Sequence, residues 1–370
     1  MLSFWEKRSF INYDYIVIGA GITGLSVACE LMEQNAQANV LVLERGILPT
    51  GASTKNAGFA CIGSLSENLY DKSVMGEKAL LELVQSRHTG LQILRNRLGD
   101  EAIAYDACGG YEIILNSDDQ SFVSQMDEMN AFLYPLFNKN VFSLCSDKIK
   151  EFGFSKHASQ LIYNYLEGSI DSGKMMNSLW LHAQKLGIKI ITGAEVKSID
   201  ENKEAVEVAV NGMSFKAQKI FICTNAFTKS LLPNIELNPG RGQVLVTKPI
   251  PNLKVKGTFF FDEGYYYFKN FENSVVFGGG RNLDFDGENT TNFGSNQKII
   301  EQLQTYLKEL ILPDTNFEIE HTWSGIMAFS ENKLPLVEAL SERQFIGVRL
   351  NGMGVALGSK IAKDLVGLSI

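Results

Sequence analysis

The chain has 370 residues, of which 45% are hydrophobic and 21% charged, with a formal net charge of -8. Those values exclude a disordered chain and call for a sizeable core, with two lobes as the default arrangement. An acidic balance with no long Lys/Arg run excludes the electrostatic footprint of nucleic-acid or anionic-membrane binding, and favours a small-molecule ligand.

In chain order, the opening MLSFWEKRSF places Glu6, Lys7 and Arg8 after only a few apolar residues. It reads as neither a signal peptide nor a membrane span, and no later run is apolar enough to cross a bilayer. Tyr13 to Ile18 is a short β-branched apolar run ending at Gly19, and Ile22 to Met32 has helical apolar spacing; with the buried-strand pattern Val40 to Leu43 they predict a βαβ unit on a parallel sheet. Residues 46 to 64, rich in Gly, Ser, Thr and Asn, predict a long loop. An amphipathic helix is expected over 76 to 98, a strand over Gly109 to Leu115, and a helix over 174 to 186. Strands follow at Lys189 to Thr192 and Ala194 to Ile199, then a hairpin of Ala205 to Val210 and Ser214 to Ala217 around Asn211-Gly212, then a separate strand Ile220 to Thr224. From Gly242 the pattern becomes mostly β, with Gln243 to Thr247, Gly257 to Phe261, Tyr265 to Phe268 and Ser274 to Phe277 forming an antiparallel sheet. The tail returns to a strand (Phe345 to Leu350), a glycine turn and a helix (Val355 to Leu368).

The chemistry begins at Gly19-Ala20-Gly21-Ile22-Thr23-Gly24, a GxGxxG string in its required place between a strand and a helix. Gly19 permits the tight turn, Gly21 lets backbone approach a pyrophosphate, Gly24 allows close helix-strand packing, and the helix N-terminus favours the anion. Glu44, at the end of the second strand, is placed to accept hydrogen bonds from ribose hydroxyls, with Arg45 beside it. Cys29, Cys61, Cys108, Cys145 and Cys223 lack CxxC spacing and are odd in number, which fits a reducing, cytoplasmic compartment. His88, His157, His182 and His321 lack metal-ligand spacing, so no metal is expected.

The loop Gly51-Ala52-Ser53-Thr54-Lys55-Asn56-Ala57-Gly58, together with Gly193-Ala194-Glu195-Val196, Thr224-Asn225-Ala226, Arg241-Gly242-Gln243, Trp323-Ser324-Gly325 and Asn351-Gly352-Met353-Gly354-Val355, resembles the D-amino acid oxidase, glycine oxidase and sarcosine oxidase family of flavoproteins. The resemblance covers nearly the whole chain. It implies an α/β fold: a Rossmann-like, glutathione-reductase-type FAD-binding domain with a parallel sheet, interleaved with an antiparallel β-sheet substrate domain carrying helices. The expected division is 1–80, 160–238 and 325–370 for FAD, and 81–159 and 239–324 for substrate.

By the same resemblance, Ser53 to Gly58 lie against pyrophosphate and flavin, the Val196 backbone contacts adenine, and Thr224, Asn225 and Ala226 form a turn beside the cofactor. Gly325, Gly352, Met353, Gly354 and Val355 border the flavin. Relatives that link flavin covalently carry histidine where Lys55 stands, so non-covalent FAD is implied. Tyr265 and Tyr267 share one face of their strand, and the family uses this strand to line the substrate pocket. Arg281 offers a planar fork for a carboxylate, and Asn351 is expected at the pocket. Met327 stands where glycine and D-amino acid oxidases place the arginine that clamps an α-carboxylate. The implied activity is oxidation of a C–N bond in an amine or an N-substituted or D-amino acid: hydride passes to flavin N5, the imine is hydrolysed, and oxygen or another acceptor takes the electrons. Two alternatives are dehydrogenation of a 2-hydroxy acid or polyol phosphate, with His321 as base, and a non-catalytic flavin-binding subunit.

Overall fold

A computed structural model describes residues 1–115 and 121–370. Two eight-stranded sheets organise the chain. In the first, the central strand Asn12–Ile18 runs parallel to Val40–Leu43 on one side and to Met213–Ile222 on the other. The parallel strands Lys189–Ile191 and Gln344–Val348 extend the two edges. Val40–Leu43 and the C-terminal ends of Asn12–Ile18, Met213–Ile222 and Gln344–Val348 are buried on both faces, which is why they read as continuous apolar runs rather than alternating ones. Val17, Val42, Phe221 and Phe345 pack under the helices Ile22–Gln34, Ser172–Lys185 and Gly354–Gly367. Ile16, Ile18, Leu41 and Ile222 face the opposite way, towards Val206, Val208 and Phe215 of an antiparallel extension.

The second sheet has the strand order Ile319–Phe329, Asn238–Thr247, Ser274–Gly279, Tyr266–Phe271, Thr258–Phe261, Gly110–Leu115, Ala158–Asn164 and Phe142–Leu144. One face is an aromatic core in which Phe259, Phe261, Phe268 and Phe277 pack with Leu303 and Leu307 of the following helical segment. The alternate residues Val244, Phe260, Tyr267 and Val276 turn to the other face, where they meet Ala57, Phe59 and Met353 from the first layer. Period-two alternation thus divides one sheet between a core and a wall.

Several sequence expectations need correction. Ser214 to Ala217 and Ile220 to Thr224 belong to one ten-residue strand, Met213–Ile222. Its first half closes the hairpin with Val206–Val210 while Lys216 to Ile222 lie alongside Asn12–Ile18, so it joins the hairpin to the parallel sheet without a break. The loop over 46 to 64 contains a 3-10 turn at Ala52–Thr54 and a short strand, Phe59–Ala60, paired with Gly168–Ser169. The second sheet is not wholly antiparallel, because Thr258–Phe261 runs parallel to Gly110–Leu115. The helices Leu65–Met75, Ser121–Phe137 and Gln297–Tyr306 and the strands Ala158–Asn164 and Ile319–Phe329 were not anticipated.

Among the described residues, no helix is long and apolar enough to cross a membrane, and no group of three or more His, Cys, Asp or Glu side chains could hold a metal ion. The five cysteines are free.

Candidate active site

A cavity of about 560 Å³ opens between the two sheets, within the size range of small-molecule and cofactor sites. Its walls bring together segments from the whole length of the chain. The turn after the first strand supplies Gly19, Gly21, Ile22 and Thr23. Gly19 takes φ +104°, and a Cβ there would lie 2.7 Å from the Cys223 carbonyl oxygen. The helix Ile22–Gln34 starts at Gly21 without a side-chain cap, so amides of its first turn are free to meet an anion. The Ile22 N–H is already engaged, donating to Ser53 Oγ at 2.9 Å, which leaves the later amides of the turn for the anion.

Glu44 is oriented by two backbone donors: the Ala20 N–H on Oε2 and the Gly46 N–H on Oε1, each at 2.9 Å. These bonds leave lone pairs on both oxygens for ribose hydroxyls. Next to it, the Arg45 guanidinium lies 3.4 Å from the centroid of the Phe227 ring, a cation–π contact. Arg45, Val196, Thr224, Asn225 and Phe227 all line this part of the cavity.

Further along, Ser53, Lys55, Asn56, Ala57, Gly325, Gly352, Met353, Gly354 and Val355 form the wall. The Asn56 side chain is committed to folding its own loop: it donates to Ser53 O at 2.7 Å and accepts from the Gly58 N–H and the Ser172 hydroxyl. The Lys55 carbonyl accepts the Trp323 indole N–H at 2.9 Å, while its ammonium group lies 5.1 Å from the Phe293 ring centroid. The fit to FAD rests on these features: a helix start bared at Gly21, an oriented carboxylate at the strand end, and a continuous wall wide enough for a ring system.

Four expected cofactor residues do not line the cavity. Gly24 packs helix against turn, since a Cβ there would sit 1.8 Å from Gly19 O. Thr54 turns its hydroxyl to Pro49 O at 2.6 Å, and Gly58 lies against Ile170 O and the Lys269 ammonium. Ala226 is buried in the core beneath the turn.

All five expected substrate-pocket residues, Tyr265, Tyr267, Arg281, Met327 and Asn351, line the cavity. Tyr267 packs edge-on against Phe59, and burial, with nearby Cys61 adding to it, pushes its hydroxyl up to about 12. It is therefore a neutral hydrogen-bonding group across the working pH range. Burial likewise raises Tyr265. Asn351, at φ +50°, uses its amide locally, accepting from the Ser330 N–H at 3.0 Å and donating to Arg349 O at 2.9 Å. His321, the base required by the 2-hydroxy-acid alternative, is exposed and stacked on Trp323 outside the cavity. His321 shares the strand face of Gly325 and Met327 but lies beyond the end of the cavity, past Trp323.

The cavity also gathers residues that carried no local signal. Glu67 and Lys333 reach it from distant segments: Glu67 lies 3.5 Å from Arg87 Nη2, and buried Asp71 accepts from Lys333 Nζ at 2.7 Å and Arg87 Nη2 at 3.4 Å. Burial pushes the Glu67 carboxyl up, opposed first by the Arg87 charge. Phe329 could have been read from the strand pattern, because it follows Met327 on the same face of Ile319–Phe329.

A dinucleotide-type cradle on a parallel sheet, opening onto the wall of a mixed sheet, defines a two-layer cofactor-dependent oxidoreductase. The chain belongs to the FAD dependent oxidoreductase family DAO, whose family model matches residues 14–368. Among its relatives, the probable oxidoreductase OrdL of Haemophilus influenzae is 25% identical, over 96% of this chain and 83% of that protein. Two solved structures share the fold. One is L-proline dehydrogenase from P. horikoshii, with TM-score 0.79 and 17% identity over 97% of this chain and 93% of that one. The other is glycine oxidase from Geobacillus kaustophilus, with TM-score 0.77 and 20% identity over 96% and 94%. The protein is thus an FAD-dependent oxidoreductase of mixed α/β architecture.

Proposed function

We propose that this enzyme oxidises the C–N bond of an amine or of an N-substituted or D-amino acid. The observation that carries this reading is the wall on the substrate side: Phe59, Tyr267, Met327 and Met353 line it, and no histidine lines the cavity among the described residues. Oxidising an alcohol needs a base to take the hydroxyl proton, whereas a free amine binds with its lone pair already available. Bound FAD supplies the acceptor for the hydride leaving the substrate carbon. The work left to the chain is to orient the substrate and keep out water. Tyr267 and Phe59 provide rigid aromatic faces for that purpose, and Tyr265 provides a neutral hydrogen-bonding hydroxyl at the pocket. Water then converts the product imine to a carbonyl compound and an amine.

Under this proposal Gly19, Gly21, Glu44, Ser53 and Val196 hold the cofactor non-covalently, the first sheet serves the cofactor and the second the substrate. Oxygen or another acceptor takes the electrons. The names of the fold neighbours, a proline dehydrogenase and a glycine oxidase, support chemistry on a C–N bond. Anaerobic titration of the yellow protein with amines, N-methyl amino acids, D-amino acids and 2-hydroxy acids tests it. Bleaching by a nitrogen compound is the expected result. Bleaching by a hydroxy acid alone overturns the reading, and bleaching by nothing favours a flavin-binding subunit.

A further inference from the structure

Arg281 is a cation without a counterion. No hydrogen bond or ion pair holds its side chain among the described residues, and its buried Nε has no partner. Its guanidinium is flanked by two aromatic faces, 4.2 Å from the Phe329 ring centroid and 5.3 Å from that of Phe285. The one carboxylate whose charge acts on it, Glu288, is already engaged. Glu288 accepts both Arg241 Nε and Arg241 Nη2 at 2.9 Å, together with Gln243 and Asn296. Asp71 is held by Arg87 and Lys333, and Glu67 lies 3.5 Å from Arg87. Taking a charge out of water is costly unless it is paired, so the half-buried Arg281 is available to an incoming anionic group.

Where that charge sits follows from the strand Asn238–Thr247. A Cβ on Gly240 would lie 2.8 Å from Arg281 Cζ, and a Cβ on Gly242 would lie 2.9 Å from Met327 Cε. Both glycines present the same face, so the guanidinium sits over Gly240 and the Met327 methyl over Gly242, positions one two-residue repeat of about 6.6 Å apart along the strand. That distance is about the reach of five bonds of an extended alkyl chain.

We infer that Arg281 receives the carboxylate of a substrate whose anionic group is remote from the reacting carbon, with the apolar body of the substrate lying along Met327 and Tyr267. The inference rests on the C–N oxidation reading and narrows it to amines bearing a distal carboxylate. The planar fork matches a carboxylate in two parallel hydrogen bonds. The flanking phenylalanine rings keep the guanidinium in place and limit competing hydration.

Redox-inert ligands test binding apart from turnover. The FAD-loaded protein is titrated calorimetrically with linear carboxylates from acetate to heptanoate and with the matching primary amides, in the unmodified form and as Arg281→Met and Arg281→Lys. The carboxylate-to-amide affinity ratio should climb with chain length in the unmodified protein. In Arg281→Met it should fall by about tenfold or more at the longest lengths, the size of one charge-assisted pair, with Arg281→Lys in between. A ratio independent of length in the unmodified protein overturns the inference, and that arm needs no variant. So does an unchanged ratio in a folded, FAD-retaining Arg281→Met. If the carboxylate preference depends on Arg281 but no amine bleaches the flavin, the anion site stands and the C–N reading falls. If amines bleach the flavin but the ratio is flat, the reverse holds.

Discussion

Ser53 Oγ accepts the Ile22 N–H at 2.9 Å, and the same oxygen lies 2.9 Å from the position of a Cβ on Gly21. One hydroxyl therefore ties the loop Gly51 to Gly58 to the helix start and marks how little room remains there. Gly21→Val would push its methyl groups into Ser53 and into the approach to the free amides. The variant should fold but lose nearly all FAD, read as the ratio of flavin to protein absorbance after purification. Full FAD content in a folded variant would show that this turn is not the phosphate site.

The cofactor should come off without breaking a bond. Lys55 occupies the loop position, and the two cysteines that line the cavity are poor nucleophiles: burial pushes Cys223 up to about 12 and Cys61 well above its ordinary value. Acid precipitation should leave the yellow colour in the supernatant. Colour retained in the pellet would mean a covalent link.

Met327 lines the cavity with its methyl against Gly242 and its sulfur facing Gly352. Glycine and D-alanine should therefore reduce the flavin poorly compared with larger amines. Met327→Arg should strengthen benzoate binding by about 1.5 to 3 kcal/mol, the worth of a well-formed charged hydrogen bond. Dissociation constants for both forms, from the flavin spectrum, check this; tight benzoate binding by the unmodified protein would contradict it.

Glu167 is buried, its Oε1 accepting the Ile62 and Gly63 N–H groups at 3.0 Å while Oε2 has no partner. Burial pushes its carboxyl up to about 8, against the opposing effect of those two amides. Since the folded value is raised, the folded state holds a proton that the unfolded chain releases near 4.3. The stability this contributes is complete below that pH and is lost as pH rises through about 8. Glu167→Gln, which mimics the protonated form, should match the unmodified protein near pH 4 and exceed it near pH 9, by on the order of 5 kcal/mol. Melting curves across that range decide it; parallel curves would refute the buried proton.

The local patterns of the chain were enough for the parts of the fold whose signals are short-ranged. A β-branched run, a glycine turn and an apolar helix predicted Asn12–Ile18 and Ile22–Gln34, and the glycine spacing placed Gly19 and Gly21 at a cavity wall. Alternation also put Tyr265 and Tyr267 on that cavity's side. It could not separate Thr54, Gly58 and Ala226 from their cavity-lining neighbours, because a residue's contacts depend on which way a turn faces. The strand Ala158–Asn164 went unread because its burial does not alternate.

The amino-acid order by itself determined that a dinucleotide cradle would form after the first strand, since backbone conformation at Gly19 and close approach at Gly21 are properties of those residues. Only the tertiary structure decided the electrostatics of the substrate end. Arg281 is left unpaired because Glu288, seven positions on, is taken by Arg241 of the strand Asn238–Thr247. Charge balance in a buried site is a sum over neighbours in space, and no stretch of sequence contains that sum.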